Sequence, residues 1–416
     1  MTEKINKKSI STESYKGVRD FYPEDMAIQN YIFSVWKKTA ESFGYSEYNA
    51  SVLEPTDLYK SKSGEEIVNE QTYSFKDRGG REVTLRPEMT PTVARMIAAK
   101  RKSLVFPIRW YSIPNLFRYE KPQRGRTREH WQLNVDLFGL TGLQADVEMI
   151  SISYYLMKNF KINDSNFKIF INNRGNIKAI VAKELDNDEE KINKYLSLID
   201  RKRKISEKEL NEEMIKYFGK IISYKTLEPD DYSKQIIQEL AKHGIKNVEY
   251  NQDIVRGFSY YTGVVFEVYD NNKENPRALF GGGRYDNLLD IFDVEKIPAV
   301  GFGMGDVTIR DVLETYNFLP EVKSVSQLYI CVMNAEYIDY AQDLAEKFRE
   351  KGVNTMVDYS DKKVGEQIKY ADKNKIPFVV VIGEEEVKTG KLKIKELSTG
   401  KETETTEDKI SEVINK

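Results

Sequence analysis

The sequence predicts an α+β chain in which an antiparallel sheet carrying a helical insertion is followed by a small α/β domain. Three observations carry the prediction. Short apolar runs alternate with turns across residues 73–139, the pattern of antiparallel strands. Residues 175–243 become charged and helical, with blocks such as Asp186-Asn187-Asp188-Glu189-Glu190-Lys191 and Arg201-Lys202-Arg203-Lys204, which read as an insertion rather than sheet. After Leu319-Pro320-Glu321, short apolar strands alternate with helical periods, the signature of an α/β unit with mostly parallel strands. The division falls near residue 325, giving domains 1–325, with the insertion at about 175–245, and 326–416.

Taken in order, residues 1–15 are polar, and Pro23, Glu24 and Asp25 open a helix that ends before Gly44. Ile28, Ile32, Val35, Trp36, Ala40 and Phe43 follow the helical period, so one face of it is buried. A strand-like stretch at 45–53 is closed by Pro55. Strands follow at 81–85, 108–112, 116–120 and 131–137, with helices at 90–100 and 146–158 between and after them. The strand pattern resumes at 248–255, 264–269 and 299–304. Beyond the boundary, strands at 328–333, 355–358 and 378–382 are separated by helices at 337–351 and 364–373.

At 416 residues the chain is long enough for two or three packed domains, and its mixed charge and many aromatics mark a folded protein. A net charge of −2 gives no global basic field, so contact with nucleic acid must come from local Lys and Arg placement. The single cysteine, Cys331, excludes a disulfide framework and a thiolate zinc cluster, and His130 and His243 are too few for a multi-histidine metal site. The N-terminus lacks the apolar core of a signal peptide, and no run of about 18 apolar residues marks a membrane span. A soluble protein of the cytoplasm, with no membrane partner, is expected.

Five stretches could carry chemistry. Leu85-Arg86-Pro87-Glu88-Met89-Thr90-Pro91 sets a carboxylate and a hydroxyl two residues apart after a strand, where they either face a cleft or cap the next helix. Between residues 118 and 128, Arg118, Lys121, Arg124, Arg126 and Arg128 surround Gly125, which suits phosphate oxygens because guanidinium binds them as a planar fork. A charged hairpin tip in solvent is the alternative. Gln132, Asn134 and Asp136 fall on one strand face at period two, aiming polar groups together if that face is concave. Asp253-Ile254-Val255-Arg256-Gly257-Phe258-Ser259-Tyr260-Tyr261-Thr262 ends an apolar strand on an arginine followed by paired tyrosines. Gly281-Gly282-Gly283-Arg284-Tyr285-Asp286 allows close backbone approach to a ligand, though a triple glycine is usually a turn or bulge. No Walker phosphate loop and no dinucleotide fingerprint occurs, and two histidines make a Ser–His–Asp hydrolase untenable.

In this order the stretches resemble the histidyl-tRNA synthetase family of class II aminoacyl-tRNA synthetases, from about Gly17 to the C-terminus. Gly17-Val18-Arg19-Asp20-Phe21, the following helix and Pro55 resemble the family's dimer-forming first motif, and residues 117–139 its second. Arg256-Gly257-Phe258-Ser259-Tyr260-Tyr261 and Gly282-Gly283-Arg284-Tyr285-Asp286 resemble two signatures of the histidine enzymes. The resemblance implies a class II antiparallel-sheet catalytic domain and a C-terminal anticodon-binding domain. It further implies a homodimer with L-histidine, ATP, Mg2+ and tRNA(His) as its partners. Histidine's carboxylate would attack the α-phosphate of ATP to give histidyl-adenylate, and the terminal ribose of the tRNA would then take the histidyl group. By the same resemblance Arg118 and Arg256 clamp the α-phosphate, Glu120 reads adenine, and Arg126 approaches the triphosphate or the tRNA end. Glu88, Thr90, Gln132, Asp136, Tyr260, Tyr261 and Tyr285 hold histidine, with the Met89 backbone between the first two. Lys362, Lys363, Lys369 and Lys373 either meet the anticodon or form a solvated helix face.

The sequence departs from the family's pattern at three places. The third motif usually ends in Glu-Arg, whereas the matching stretch here is Gly301-Phe302-Gly303-Met304-Gly305-Asp306-Val307-Thr308, so that arginine is missing. Ser259 stands for the usual Asp and Met89 for the usual Gly. The alternative reading is a non-catalytic paralogue that serves as a regulatory subunit of ATP phosphoribosyltransferase. Residues 326–416 and the retained Arg118 and Arg256 argue against it.

Overall fold

The structure, a computed structural model, describes residues 10–60, 71–202, 205–222, 228–256 and 260–414. The Gly257-Phe258-Ser259 stretch and Arg203-Lys204 lie outside the described residues. The chain divides into two compact units, Met1–Pro320 and Glu321–Lys416.

Among the described residues the first unit is built on twelve strands: β1 (Ser46–Glu47), β2 (Leu53–Pro55), β3 (Tyr73–Lys76), β4 (Glu82–Leu85), β5 (Ile108–Ser112), β6 (Asn115–Phe117), β7 (Glu129–Phe138), β8 (Phe167–Asn173), β9 (Val248–Tyr250), β10 (Val264–Asp270), β11 (Ala278–Arg284) and β12 (Ala299–Gly305). The main sheet runs β1-β5-β7-β12-β11-β10-β8-β9, with β6 also paired to β7 and a separate sheet β2-β4-β3. Pairing is antiparallel through the centre and parallel only at the two edges, β1 with β5 and β8 with β9.

Nine helices accompany it among the described residues: α1 (Pro23–Ser42), α2 (Thr56–Lys60), α3 (Thr90–Lys100), α4 (Leu143–Asn159), α5 (Arg174–Glu184), α6 (Glu189–Arg201), α7 (Glu207–Phe218), α8 (Asp231–Lys242) and α9 (Asp306–Thr315). The period-two rule decides where the core sits. Leu133, Val135 and Leu137 of β7 point to one face, where they join Ile32 and Trp36 of α1, Met149 and Ile150 of α4, and Ile309 and Val312 of α9 in a continuous buried cluster. The opposite face, bearing Gln132, Asn134 and Asp136, is left for the site.

Helices α5–α7 have an apolar core of their own, in which Ile177, Val181, Leu196, Ile199, Leu210 and Met214 meet. Their N-termini are capped by Asn173, Asp188 and the Ser206–Glu209 capping box. Helix α8 belongs elsewhere, since its Ile236 and Leu240 pack in the main core. The independent helical cluster is therefore shorter than the insertion expected at about 175–245. The triple glycine, expected as a turn or bulge, lies within β11, and β8 is a strand to which the sequence reading assigns no element.

The second unit comprises β13 (Leu328–Val332), α10 (Ile338–Glu350), β14 (Thr355–Val357), α11 (Val364–Lys373), β15 (Phe378–Ile382), α12 (Glu384–Thr389), β16 (Lys391–Glu396), β17 (Glu402–Thr406) and α13 (Ile410–Ile414). The order is β14-β13-β15-β16-β17, parallel over the first three strands and antiparallel over the last two. Leu344, Ala345 and Phe348 of α10 fill its core against Leu328, Ile330 and Val380. Among the described residues no helix is long and apolar enough to cross a membrane.

Candidate functional site

A cavity opens on the polar face of the main sheet. It exists because the strands beside β7 carry almost no side chains there. In the β7–β12 register Asp136 faces Gly301, Asn134 faces Gly303 and Gln132 faces Gly305; in the next pairing Gly301 faces Gly283 and Gly303 faces Gly281. A Cβ built on Gly301 would stand 2.6 Å from Asp136 Oδ1, one on Gly303 2.7 Å from Gln132 Cδ, and one on Gly283 2.6 Å from Val264 O. These glycines are thus required by close approach, the use for which the residue is suited despite its entropic cost.

Around this floor the walls are polar and aromatic. Glu88 and Thr90 line the cavity, and α3 has no side-chain cap, so the capping alternative does not hold. Tyr260 Oη donates to Glu88 Oε2 at 3.2 Å, and the rings of Tyr260, Tyr261 and Tyr285 cluster with centroids 4.9, 5.8 and 6.3 Å apart. Tyr285 Oη donates to Asp136 Oδ1, while the buried Asp136 Oδ2 has no hydrogen-bond partner among the described residues. Burial pushes the Asp136 carboxyl up to about 7, and the Tyr285 bond pulls weakly the other way. The Gly-Arg-Tyr-Asp segment is anchored from behind: Arg284 forms a buried ion pair with Asp146 at 2.8 Å, and Asp286 accepts from Ala299 N at 3.2 Å.

Arg118 and Arg256 line the same cavity from segments far apart in the chain. Arg118 Nε donates to Pro87 O at 2.8 Å. Arg256 pairs through Nη1 with Glu267 Oε1 at 2.9 Å and donates from Nη2 to Gly281 O at 3.2 Å. Its backbone is left-handed, with φ of 60°. Glu267 is a site residue the sequence reading missed, although a lone carboxylate inside the apolar run Val264-Val265-Phe266-Glu267-Val268 was a usable signal. Gly301 and Gly303 were likewise missed, their spacing of two matching that of Gln132, Asn134 and Asp136.

Three expected site residues lie off the cavity lining. Met89 is fully buried in the core beneath it, and Glu120 and Arg126 form an ion pair with each other at 3.1 Å. The cationic loop is docked rather than a hairpin tip in solvent. Arg124 donates to Asn275 Oδ1 and Thr315 Oγ1, both at 3.3 Å, and the Arg128 guanidinium stacks 3.9 Å from the Tyr119 ring centroid. Asp306, within the stretch that matches the third motif, is fully buried and accepts from Arg19 Nη2 at 2.8 Å, Gln29 Nε2 at 3.0 Å and Trp131 N at 3.0 Å. His130, near Arg118 and Arg19, stays neutral because burial and then those two cations press its pKa down to about 3.

A sequence profile described as histidyl-tRNA synthetase matches residues 17–307, and one described as an anticodon binding domain matches residues 327–416. A histidine–tRNA ligase of Leptospira biflexa is 37% identical, with 95% of each chain covered. The histidine–tRNA ligase of Thermoplasma volcanium is 37% identical over 94% of this chain and 96% of that protein. The solved structure of a histidyl-tRNA synthetase from Nostoc sp. shares the fold, with a TM-score of 0.78 at 23% identity covering 98% of this chain and 99% of that one.

The raised pKa of Asp136 has a thermodynamic consequence. A carboxyl that ionises harder when folded contributes stability below its unfolded pKa and loses it as pH rises through about 7. Asp136→Asn should remove that slope, gaining on the order of 1–4 kcal/mol over the native chain between pH 5 and 8. Urea midpoints of the two proteins at both pH values check this, and parallel pH profiles would show that Asp136 ionises freely.

Proposed function

The chain belongs to the histidyl-tRNA synthetase family and joins L-histidine to tRNA(His) at the expense of ATP, and on that premise we propose how its residues share the work. The reading is supported above all by one observation: two guanidiniums, Arg118 and Arg256, line a cavity that also holds two carboxylates, Glu88 and Asp136, over a floor without side chains.

Histidine lies on the glycine floor. Its imidazole donates one ring N–H to Asp136 Oδ2, the acceptor left unpartnered when Tyr285 takes the other oxygen. The tyrosine cluster packs against the ring, and Glu88, Thr90 and Gln132 receive the ammonium. A cavity built to pair ring nitrogens rejects an amino acid lacking them by roughly 10⁴–10⁵-fold, because its buried polar groups would be left unpaired. The carboxylate then attacks the α-phosphorus of ATP; a P–O bond forms to histidine as the bond to diphosphate breaks. Arg118 and Arg256 stabilise the charge gathering on the α-phosphate oxygens, and both are held in place beforehand, by Pro87 O and by Glu267. In the second step the terminal ribose hydroxyl of the tRNA attacks the histidyl carbonyl, and AMP leaves.

Glu120 and Arg126 take up adenine and the triphosphate by exchanging their mutual ion pair for the nucleotide. Magnesium fits this chain poorly as a resident ion. Among the described residues no group of three or more His, Cys, Asp or Glu could hold it, and the Glu267 oxygens are engaged by Arg256 and Tyr269. It is proposed only as a companion of the ATP phosphates, which suit its oxygen coordination. The regulatory-subunit alternative is disfavoured by the anticodon-binding match over residues 327–416.

In the second unit Lys362, Lys363, Lys369 and Lys373 are exposed and enter no ion pair among the described residues, whereas Lys347, Lys351, Lys388, Lys391 and Lys395 each face a carboxylate. The first set is proposed to contact the anticodon arm. A homodimer is proposed from the first motif and from the apolar surface left at Leu53, Phe75, Tyr22 and Met26. The enzyme is placed in the cytoplasm.

Histidine alone among the amino acids should drive ATP–pyrophosphate exchange, and exchange driven better by another amino acid sinks the assignment. In that assay Arg118→Ala should lower kcat by about 10²–10³-fold, and Arg126→Ala should raise KM for ATP by about 5-fold or more with little change in kcat. Lys362→Ala/Lys363→Ala should weaken kcat/KM for tRNA by about 5-fold or more while exchange stays as it was; an equal loss in both assays would remove the anticodon role. Sedimentation at micromolar concentration should give the mass of two chains, and a single-chain mass refutes the dimer.

A further inference from the structure

The segment that delivers Arg256 is not held as a strand. β9 pairs with β8 from Ile169↔Val248 to Ile171↔Tyr250, and the last backbone bond on that edge runs from Asn251 N to Ile171 O at 2.9 Å. Beyond it the returning chain hangs by its carbonyls from two side chains, one near the end of β8 and one at the start of α5. Asn172 Nδ2 donates to Gln252 O at 3.0 Å and to Ile254 O at 2.9 Å, and Arg174 Nη1 donates to Arg256 O at 2.9 Å. Asn172 is fully buried and Arg174 is 5% exposed, so both donors are held largely out of water; the Asn172–Ile254 O bond is buried and the other two are part-buried.

The bond from Arg174 falls on an unusual backbone. Arg256 has φ of 60°, a left-handed conformation that is uncommon for a residue with a Cβ and that its surroundings must support. Three constraints act on it. The guanidinium is fixed by Glu267 and Gly281 O, the carbonyl by Arg174, and the preceding residue, Val255, is embedded in the apolar core of α5–α7 with Ile177 and Val181. Arg174 is itself the first residue of α5, the helix that opens the insertion.

We propose that Arg174 is a positioning residue for the reaction: by binding the Arg256 carbonyl it fixes the left-handed turn that aims the Arg256 guanidinium into the cavity, and it ties that aim to the root of the insertion. Arg174 is not among the residues lining the cavity, so its action is through Arg256. The proposal rests on the reading that Arg256 acts at the α-phosphate.

The test is tRNA-free ATP–pyrophosphate exchange by the full-length chain carrying Arg174→Met, Arg174→Lys, Arg256→Lys and the Arg174→Met/Arg256→Lys pair. Misplacing a reacting group by about 1 Å costs on the order of 10²-fold, so Arg174→Met should lower kcat by about 10- to 100-fold while KM for histidine stays within about 2-fold. Arg174→Lys, which keeps a cationic donor, should fall between it and the native enzyme. Adding Arg174→Met to Arg256→Lys should cost less than about 3-fold more, because the group being aimed is already impaired. An unchanged kcat for Arg174→Met, a loss confined to KM, or a fully multiplicative double variant overturns the proposal. If thermal unfolding shows that Arg174→Met does not fold, Arg174→Gln carries the same comparison with the same criteria. Native-like exchange by Arg256→Lys would instead sink the α-phosphate reading, a result distinct from an impaired Arg256→Lys beside a fully active Arg174→Met.

Discussion

Everything in the catalytic unit depends on a sheet surface stripped of side chains. Central strands of an antiparallel sheet normally present a residue on each face at every second position, which leaves no room above them for a ligand. Here Gly281 and Gly283 of β11 and Gly301 and Gly303 of β12 sit side by side in register, and the absence of their side chains lets Asp136, Gln132, Tyr261 and Tyr285 close in around the cavity. Gly282 serves the other face. Its register partner is Phe302, which packs with Phe266 and Phe280 in the main core, and a Cβ on Gly282 would collide with that ring's own Cβ. One run of three glycines thus opens a site above the sheet and admits an aromatic core below it. Flexible backbone is a cost to a strand, and here it is contained by placing the glycines between β7 and β10, both long and well paired.

The charges above that floor are arranged so that few are left uncompensated. Arg256 has Glu267, Arg284 has Asp146, and Asp306 has Arg19, each a buried or half-buried pair whose members would be expensive to strand alone. Asp136 is less well compensated: it holds a tyrosine hydroxyl on one oxygen and, among the described residues, no hydrogen-bond partner on the other, and burial raises its pKa. An acceptor kept unsatisfied at a cost is what a donor ligand would relieve, so the instability and the recognition have one origin. The Asp306 pair belongs to the framework of the fold rather than to the cavity. The carboxylate there faces the sheet's own framework, binding Trp131 N beside Gln132, and acts on the shape of β7 rather than on a phosphate.

Much of this was legible in the sequence wherever a period was strong. The helix opened by Pro23, the strand at 108–112 and the helix at 90–100 follow their apolar spacing closely, and the alternation of Gln132, Asn134 and Asp136 placed three polar groups on one strand face before any coordinate did. The failures share a cause. Gly281–Gly283 carries no hydrophobic signal, so a strand that exists through its neighbours' pairing reads as a turn. Strands β16 and β17 read poorly for a related reason: the buried Leu392 and Ile394 alternate with lysines, a weak pattern beside the apolar runs of β13 and β15. Glu88 and Thr90 were ambiguous because a carboxylate and a hydroxyl before a helix suit a cap as well as a cleft, and only tertiary geometry separates the two uses.

The insertion illustrates how a fold can accept an added unit without leaving it independent. Its two ends meet: Asn173, which caps α5, donates from Nδ2 to Asp230 Oδ2 at 2.6 Å, and Asp230 caps α8 as the chain rejoins the main body. Closing the loop at its root makes the length between almost free to vary, because loop entropy grows only slowly with chain length. By that logic α5–α7 could fold as an appendage with no bearing on the site. Val255 denies it that freedom. It is drawn from beyond the insertion into the apolar core of α5–α7, and the next residue is the arginine that enters the cavity. A unit attached at one point could swing; this one is attached at its root and again, through Val255, beside the cavity.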